Sequence, residues 1–268
     1  MYVDIPPIIY GTAWKKERTK ELVIQAVNAG FRGIDTACQP KHYYEKGVGD
    51  ALEVLYTRDF KREELFIQTK FTPLGGQDPL NIPYDKEADL STQVAQSFEV
   101  SKQNLQTDYV DSLVLHSPLF PFKDLYSVWK AMEAIAHKGE AKCLGISNIY
   151  DTQVMERLYE ITDVKPSVVQ NRFYQDSGYD KEIRSFCKAN NIRYQSFWTL
   201  TANPHILESR ELFDLARKYD TNVVQILFAY LHQIGITPLT GTTDPEHMLS
   251  DLQSFDICLD ETEQSKLD

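Results

Sequence analysis

Three ionisable side chains sit where apolar runs end: Asp35 closes Gly33-Ile34-Asp35, Lys70 follows Gln68-Thr69, and His116 follows Val114-Leu115. Two adjacent phenols, Tyr43 and Tyr44, lie in the segment after the first run. A phenol titrating near pH ~10 is a poor acid at neutrality. A neighbouring ammonium favours the phenolate and lowers that value, a carboxylate fixes the ammonium, and an imidazole orients a carbonyl oxygen. Such a set suits protonation of a carbonyl oxygen by tyrosine. The carbonyl carbon then needs a nucleophile, and a hydride from a nicotinamide meets that need. The chain shows no Ser–His–Asp order, no Cys/His cluster and no paired catalytic carboxylates, so hydrolysis has little support and no metal site is expected. Singly, each of these residues is more often a cap, a surface charge or a satisfied structural group. Their meaning depends on the elements that place them.

Those elements are short apolar runs alternating with amphipathic segments. The runs Pro7–Tyr10, Gly33–Asp35, Leu65–Thr69, Tyr109–Leu115, Cys143–Ser147, Ser167–Gln170, Ile192–Phe197 and Ile236–Leu239 read as strands. Between them, Glu17–Ala29, Val48–Tyr56, Ser91–Leu105, Leu125–His137, Thr152–Tyr159, Lys181–Ala189 and Glu211–Gln233 read as helices, the last interrupted near Asp220. Thr19, Asp124, Asp151 and Asp180 stand where helices begin, and Asn190 and Asn191 where one ends. Strands rich in Val, Ile and Leu suit a parallel sheet buried on both faces. Eight strand–helix units in 268 residues match a single-domain (β/α)8 TIM barrel of the α/β class, spanning 1–268. The competing open doubly wound sheet wants a GxGxxG turn after its first strand, and here that turn reads Gly11-Thr12-Ala13-Trp14. In a barrel, residues at the carboxyl ends of strands form the active site, so Asp35, Lys70 and His116 share one mouth.

Composition is that of a folded protein, 42% hydrophobic and 25% charged. A net charge of −11 argues against nucleic acid or an anionic membrane as the main partner, but permits a local basic pocket. Cys38, Cys143, Cys187 and Cys258 are scattered, which favours reduced thiols. The amino terminus carries no secretory signal pattern, and no apolar stretch is long enough to span a bilayer. The expected location is the cytoplasm, with the nucleus also open, and the expected state is a monomer or small homo-oligomer.

The ordered series GTAW (11–14), GFRGIDTA (30–37), VGDAL (48–52), QTKF (68–71), LVLHSP (113–118), LGISN (144–148) and VVQ (168–170) resembles the aldo-keto reductase superfamily over nearly the whole chain. The resemblance implies reduction of aldehydes or ketones with NADP(H), and an Asp–Tyr–Lys–His tetrad. Asp35, Lys70 and His116 match their motifs. The family's tyrosine comes five residues after the aspartate, where Pro40 stands here, so CQPKHYYEKGVG carries a small insertion. Of the two phenols, Tyr43 is favoured, because Tyr44-Glu45 then replaces the family's Asn-Glu pair.

The resemblance further implies that Ser147, Asn148 and Gln170 bind the nicotinamide carboxamide, and that Phe197 stacks on the ring with Trp198 beside it. Thr199 and Leu200 continue that cofactor strand end. Gly11, Thr12 and Trp14 line the nicotinamide and substrate pocket. At the adenosine end, Gly241 and Thr242 stand where relatives have Lys-Ser, His247 where they have Arg, and Asp251 where an Asn often reads adenine. Loss of two cations weakens the case for strict NADPH selectivity, so NAD(H) is a second expected cofactor. A helix starting near Pro245 offers backbone amides to a phosphate.

Substrate contacts are expected from Trp14, His116, Phe71 and Trp198, with Leu119, Phe120 and Phe122 adding an aromatic rim. The loop 71–89 is long enough to be a lid or wall. The chain stops soon after LDETEQ (259–264), where relatives continue into a pocket-covering loop, which predicts an open site and a broad range of small-molecule carbonyls. Two other readings stand beside this one. One is a nucleotide-sensing regulatory or scaffold subunit with weak reductase activity; the other is a phosphate-binding barrel lyase or isomerase.

Overall fold

The computed structural model describes residues 4–58 and 60–267, so the first three residues of the amino-terminal stretch and Asp268 lie outside it. The apolar runs become β1 (Ile9–Gly11), β2 (Gly33–Asp35), β3 (Phe66–Phe71), β4 (Val110–Leu115), β5 (Ala141–Ser147), β6 (Pro166–Arg172), β7 (Arg193–Phe197) and β8 (Ile236–Thr240). Every neighbouring pair is parallel, and β8 pairs back to β1 through Ile9–Leu239, which closes the barrel. Closure leaves no edge strand with unpaired backbone groups. β3 and β4 are buried along their whole length, as strands covered on both faces must be.

The helices are α1 (Thr19–Ala29), α2 (Glu45–Tyr56), α3 (Leu90–Leu105), α4 (Phe122–His137), α5 (Thr152–Ile161), α6 (Lys181–Ala189), α7 (Pro204–Leu207), α8 (Arg210–Lys218), α9 (Val223–Gln233), α10 (Pro245–Gln253) and α11 (Glu261–Gln264). The break near Asp220 separates α8 from α9, and Asp220 itself is left-handed at φ 52°. Asp151 caps α5 by accepting from the amides of Gln153 and Val154.

Three other expected caps act differently. Asp124 falls inside the first turn of α4, because Pro121, which cannot continue a helix amino-terminally, already marks the start at Phe122. Thr19 is itself helical and its hydroxyl donates to the Lys16 carbonyl. Asp180 makes no cap; its carboxylate accepts from Asn171 Nδ2 (2.7 Å) and the Tyr194 hydroxyl (2.8 Å), tying α6 to β6 and β7.

Gly49 explains how close α2 lies to α3. A Cβ there would run into the carbonyl oxygen of Asn104. This crossing matters for the site, because α2 begins at Glu45, two residues after Tyr43. The Glu45 carboxylate is buried and accepts from Thr69 of β3 and from Ser101 and Asn104 of α3, so the loop carrying both tyrosines is anchored to the barrel wall.

Candidate active site

Strand ends deliver the charged groups. Asp35 and Lys70 are both almost fully buried, and Lys70 Nζ donates to Asp35 Oδ2 at 2.6 Å and to the Thr36 carbonyl at 2.9 Å. Burial pulls the ammonium's pKa below its ordinary value, against the opposing pull of Asp35. The other carboxylate oxygen, Oδ1, accepts from Gln68 Nε2 (2.8 Å) and Gln170 Nε2 (3.0 Å). Gln195 joins these two amides through its own Oε1, at 2.8 and 2.9 Å. A polar layer of Asp35, Gln68, Gln170 and Gln195 thus fills the barrel centre, each of these donors matched by an acceptor, which a low-dielectric interior requires. Gln68 and Gln195 escape a sequence reading of the site, although both are polar residues inside apolar strands at inward positions.

Tyr43 lies over this layer. Lys70 Nζ is 5.1 Å from its ring centroid, and the His116 ring is 6.0 Å away, edge to face. Tyr44 instead is exposed and packs over Gly47. The phenol of Tyr43 is pushed above its ordinary pKa, first by burial and then by the charge of Asp35. From sequence, the ammonium is expected to lower it. The difference has a physical source: Lys70 is paired with Asp35 at 2.6 Å, so the two charges largely cancel at the phenol while burial remains.

His116 is held neutral. Burial, then the charges of Lys70 and His42, push its pKa down to about 3. Its Nδ1 is 2.6 Å from the Thr72 hydroxyl, and Asn148 Nδ2 donates to its carbonyl at 2.8 Å. Nothing in the sequence singles out Thr72; only the turn after Lys70 brings it to the ring. Trp14, left-handed at φ 64°, stacks on His42 with centroids 4.0 Å apart. Trp14, His42, Tyr43 and Tyr44, with Pro40, Lys41 and Asn81, line a cleft of about 380 Å³. Asn81 comes from the long loop after β3, which is therefore a wall. That loop is pinned by Gln77 Nε2 to the Cys38 carbonyl (3.0 Å) and by the Tyr84 hydroxyl to the Thr72 carbonyl (2.9 Å).

Phe71, expected at the substrate, is buried in the core against Tyr84, because the parity of β3 turns it away from Lys70. Trp198, expected beside it, stands half-exposed at the end of β7, under the guanidinium of Arg172 at 4.2 Å. Leu119 and Phe122 pack against the core, and Phe120 is exposed. Among the expected cofactor residues, Thr12 turns inward and donates to the Asp35 carbonyl (2.9 Å), while Gly11 pairs with Asp35 in the β1–β2 register. Thr199 donates to Ser196 Oγ at 2.9 Å and is buried; Leu200 is half-buried against the core.

Ser147 donates to the Gln170 carbonyl at 2.6 Å. Gln170 spends its amide protons on Asp35 and Gln195, leaving Oε1 as an acceptor, while Asn148 Oδ1 accepts from the Tyr150 hydroxyl at 3.4 Å. Amide oxygens of this kind suit the N–H groups of a carboxamide. Phe197 lies at the next strand end, in register with Arg172.

The opposite rim differs. Gly241 and His247 are exposed, and Asp244 Oδ1 occupies the Glu246 amide at 2.8 Å, so the first turn of α10 is already met by an anion. Asp251 is buried and accepts from Thr240 at 2.7 Å, bracing β8, and burial raises its carboxyl to about 6. Thr242 accepts from the Asp244 amide at 3.2 Å. A cation that reaches this rim is Lys15, which donates to the Gly241 carbonyl.

A family model described as "Aldo/keto reductase family" matches residues 7–268. The chain belongs to the aldo/keto reductase family. It is 28% identical to a D-galacturonate reductase of Fragaria ananassa, over 94% of this chain and 81% of that protein. It is also 28% identical to a glyoxal reductase of Bacillus subtilis (strain 168), over 92% of this chain and 82% of that one. The fold superposes on the crystal structure of an aldo-keto reductase enzyme from a Medee basin deep-sea metagenome library with a TM-score of 0.82. That match has 25% identity and covers 98% of this chain and 90% of the other. This family membership makes the chain an oxidoreductase acting on carbonyls. Among the described residues no His/Cys/Asp/Glu group could hold a metal ion, and no helix is long and apolar enough to cross a membrane.

Proposed function

We propose that this protein reduces the carbonyl of a small aldehyde or ketone to an alcohol, with Tyr43 as the general acid. The observation that carries the reading is the placement of one half-buried phenol against both Lys70 and His116, over a Lys70–Asp35 pair at 2.6 Å. A bound nicotinamide dinucleotide supplies the hydride, its carboxamide held by Ser147, Asn148 and Gln170. In the tautomer in which the Thr72 hydroxyl donates to His116 Nδ1, the Nε2 proton of the neutral ring orients the substrate oxygen. Tyr43 then gives its proton to that oxygen as charge develops there. The raised phenol pKa keeps the proton in place until then, and the phenolate left behind lies against Lys70, whose charge Asp35 largely offsets.

With neither Lys nor Arg in the Gly241–His247 segment, both NADPH and NADH serve, NADPH the better. The test is a panel of aldehydes, ketones and ketoesters with each dinucleotide, followed by nicotinamide absorbance, for the wild type, Tyr43→Phe and Tyr44→Phe. Tyr43→Phe loses at least ~100-fold in kcat while dinucleotide binding holds, as removal of a general acid requires. Full activity in Tyr43→Phe with loss in Tyr44→Phe transfers the role to Tyr44. A kcat/KM ratio favouring NADH overturns the stated preference.

A further inference from the structure

A dinucleotide brings two phosphates wherever its nicotinamide goes, and phosphates want cations or free amides. The segment after β8 offers a poor welcome, since Asp244 already holds the first free amide of α10 and no residue from Gly241 to His247 is Lys or Arg. Lys15 reaches the segment but spends a donor on Gly241. Elsewhere on the barrel rim, Arg172 is a cation in an unusual setting.

Arg172 ends β6 two residues beyond Gln170, so strand alternation puts both on the same face, and its Cα is in register with Phe197. Its guanidinium carbon lies 4.2 Å from the Trp198 ring centroid and 5.2 Å from that of Tyr174. The Tyr150 hydroxyl accepts from its backbone amide at 3.2 Å, so the base of the side chain is fixed as well. Yet Arg172 Nε is buried without an acceptor, and no carboxylate among the described residues pairs with this side chain. The buried, unsatisfied Nε together with two ring contacts sets this arginine apart. Stacking uses the faces of a guanidinium and leaves its in-plane N–H edge for an oxyanion.

We propose that Arg172, braced between Trp198 and Tyr174, is the residue that binds the pyrophosphate of the dinucleotide in this protein. The inference rests on the nicotinamide reading above. It places the phosphate contact at the β6–β7 rim, away from the segment after β8. Because both dinucleotides share the pyrophosphate, Arg172 contributes affinity and no selectivity between them.

Calorimetric titration of the full chain with NADPH, NADH and ADP-ribose tests this without turnover. Arg172→Gln weakens all three by roughly 10- to 100-fold, as loss of a charge-assisted bond does. Arg172→Lys, which keeps the charge but cannot stack and fork together, recovers part of the loss. Trp198→Leu weakens all three by a smaller factor, and a circular-dichroism melt of each variant separates misfolding from lost binding. Raising salt weakens the wild type more steeply than Arg172→Gln. Equal binding by wild type and Arg172→Gln overturns the proposal alone. Loss confined to NADPH moves Arg172 to the 2′-phosphate and also overturns it. Unchanged dinucleotide binding with a raised KM only for carboxylate-bearing carbonyls assigns the residue to the substrate and likewise overturns the proposal. A wild type that binds none of the three overturns the nicotinamide reading, and this inference with it.

Discussion

Replacing Asp35 by Asn removes one charge from the barrel centre while changing almost no volume, and its consequences follow from the geometry. The Asp35 carboxylate accepts three bonds, from Lys70 at 2.6 Å, Gln68 at 2.8 Å and Gln170 at 3.0 Å. An asparagine must turn its NH2 toward one of these donors. Lys70, 1% exposed, is then left as a buried ammonium without its counter-charge. Breaking a buried pair in this way costs about 3–5 kcal/mol. For a chain of this size the melting temperature falls by roughly 6–20 °C.

The pH dependence has a definite sign. The Lys70 pKa is already below its ordinary value in the folded state, because burial outweighs Asp35. Below the unfolded lysine pKa of about 10.4 the unfolded chain binds this proton more readily, so stability is present above that pH and is lost as pH falls toward the folded value. Removing Asp35 deepens the depression. The Asp35→Asn deficit therefore grows from pH ~10 down to neutrality. Urea unfolding followed by far-UV circular dichroism at both pH values, for Asp35→Asn, Lys70→Met and the double variant, measures it. The double variant should be more stable than Asp35→Asn alone, since no orphaned charge remains. A neutral-pH deficit below ~1 kcal/mol, a deficit independent of pH, or strict additivity refutes the reasoning.

Two further outcomes test other parts of the molecule. His116, held down to about 3 by burial, Lys70 and His42, contributes stability that is present above the unfolded histidine pKa and lost as pH falls toward the folded value. His116→Asn therefore loses less stability than the wild type between about pH 6.5 and 4, as acid-unfolding curves will show. Gly49→Ala drives a methyl into the Asn104 carbonyl and must separate α2 from α3. A loss of roughly 1–3 kcal/mol in urea is expected, together with reduced turnover because the Glu45 anchor of the Tyr43 loop shifts; an unchanged midpoint would show that the crossing relaxes freely.

The barrel is legible in the sequence because its strands are buried on both faces and so read as short, largely apolar runs; expected and observed ends mostly differ by a residue or two. Asp35, Lys70 and His116 are legible for the same reason, being the polar residues that terminate those runs. Side-chain commitments are not. Phe71 and Trp198 both look like mouth aromatics, but strand parity buries one and a left-handed backbone at φ 55° tips the other onto Arg172. Asp251 looks like a reader of adenine and is spent on Thr240. In each case the deciding partner is brought in by the fold, and no local pattern encodes it.

The charges of the site are arranged by such partners too. Lys70 and Asp35 neutralise each other, His116 is neutral through burial, and Tyr43 keeps its proton, so the carbonyl subsite carries little net charge before a ligand arrives. Under the proposal made above, a dinucleotide would bring the first uncompensated negative charges and meet, on the rim between β6 and β7, the guanidinium of Arg172. In a protein of net charge −11, an unpaired cation at that rim gives an anionic ligand a local attraction that the overall charge opposes. Under the two proposals made above, affinity for the dinucleotide and activation of the carbonyl would be separable in this barrel: charge at Arg172 would govern the first, and the neutral cluster of Tyr43 and His116 over the Asp35–Lys70 pair the second.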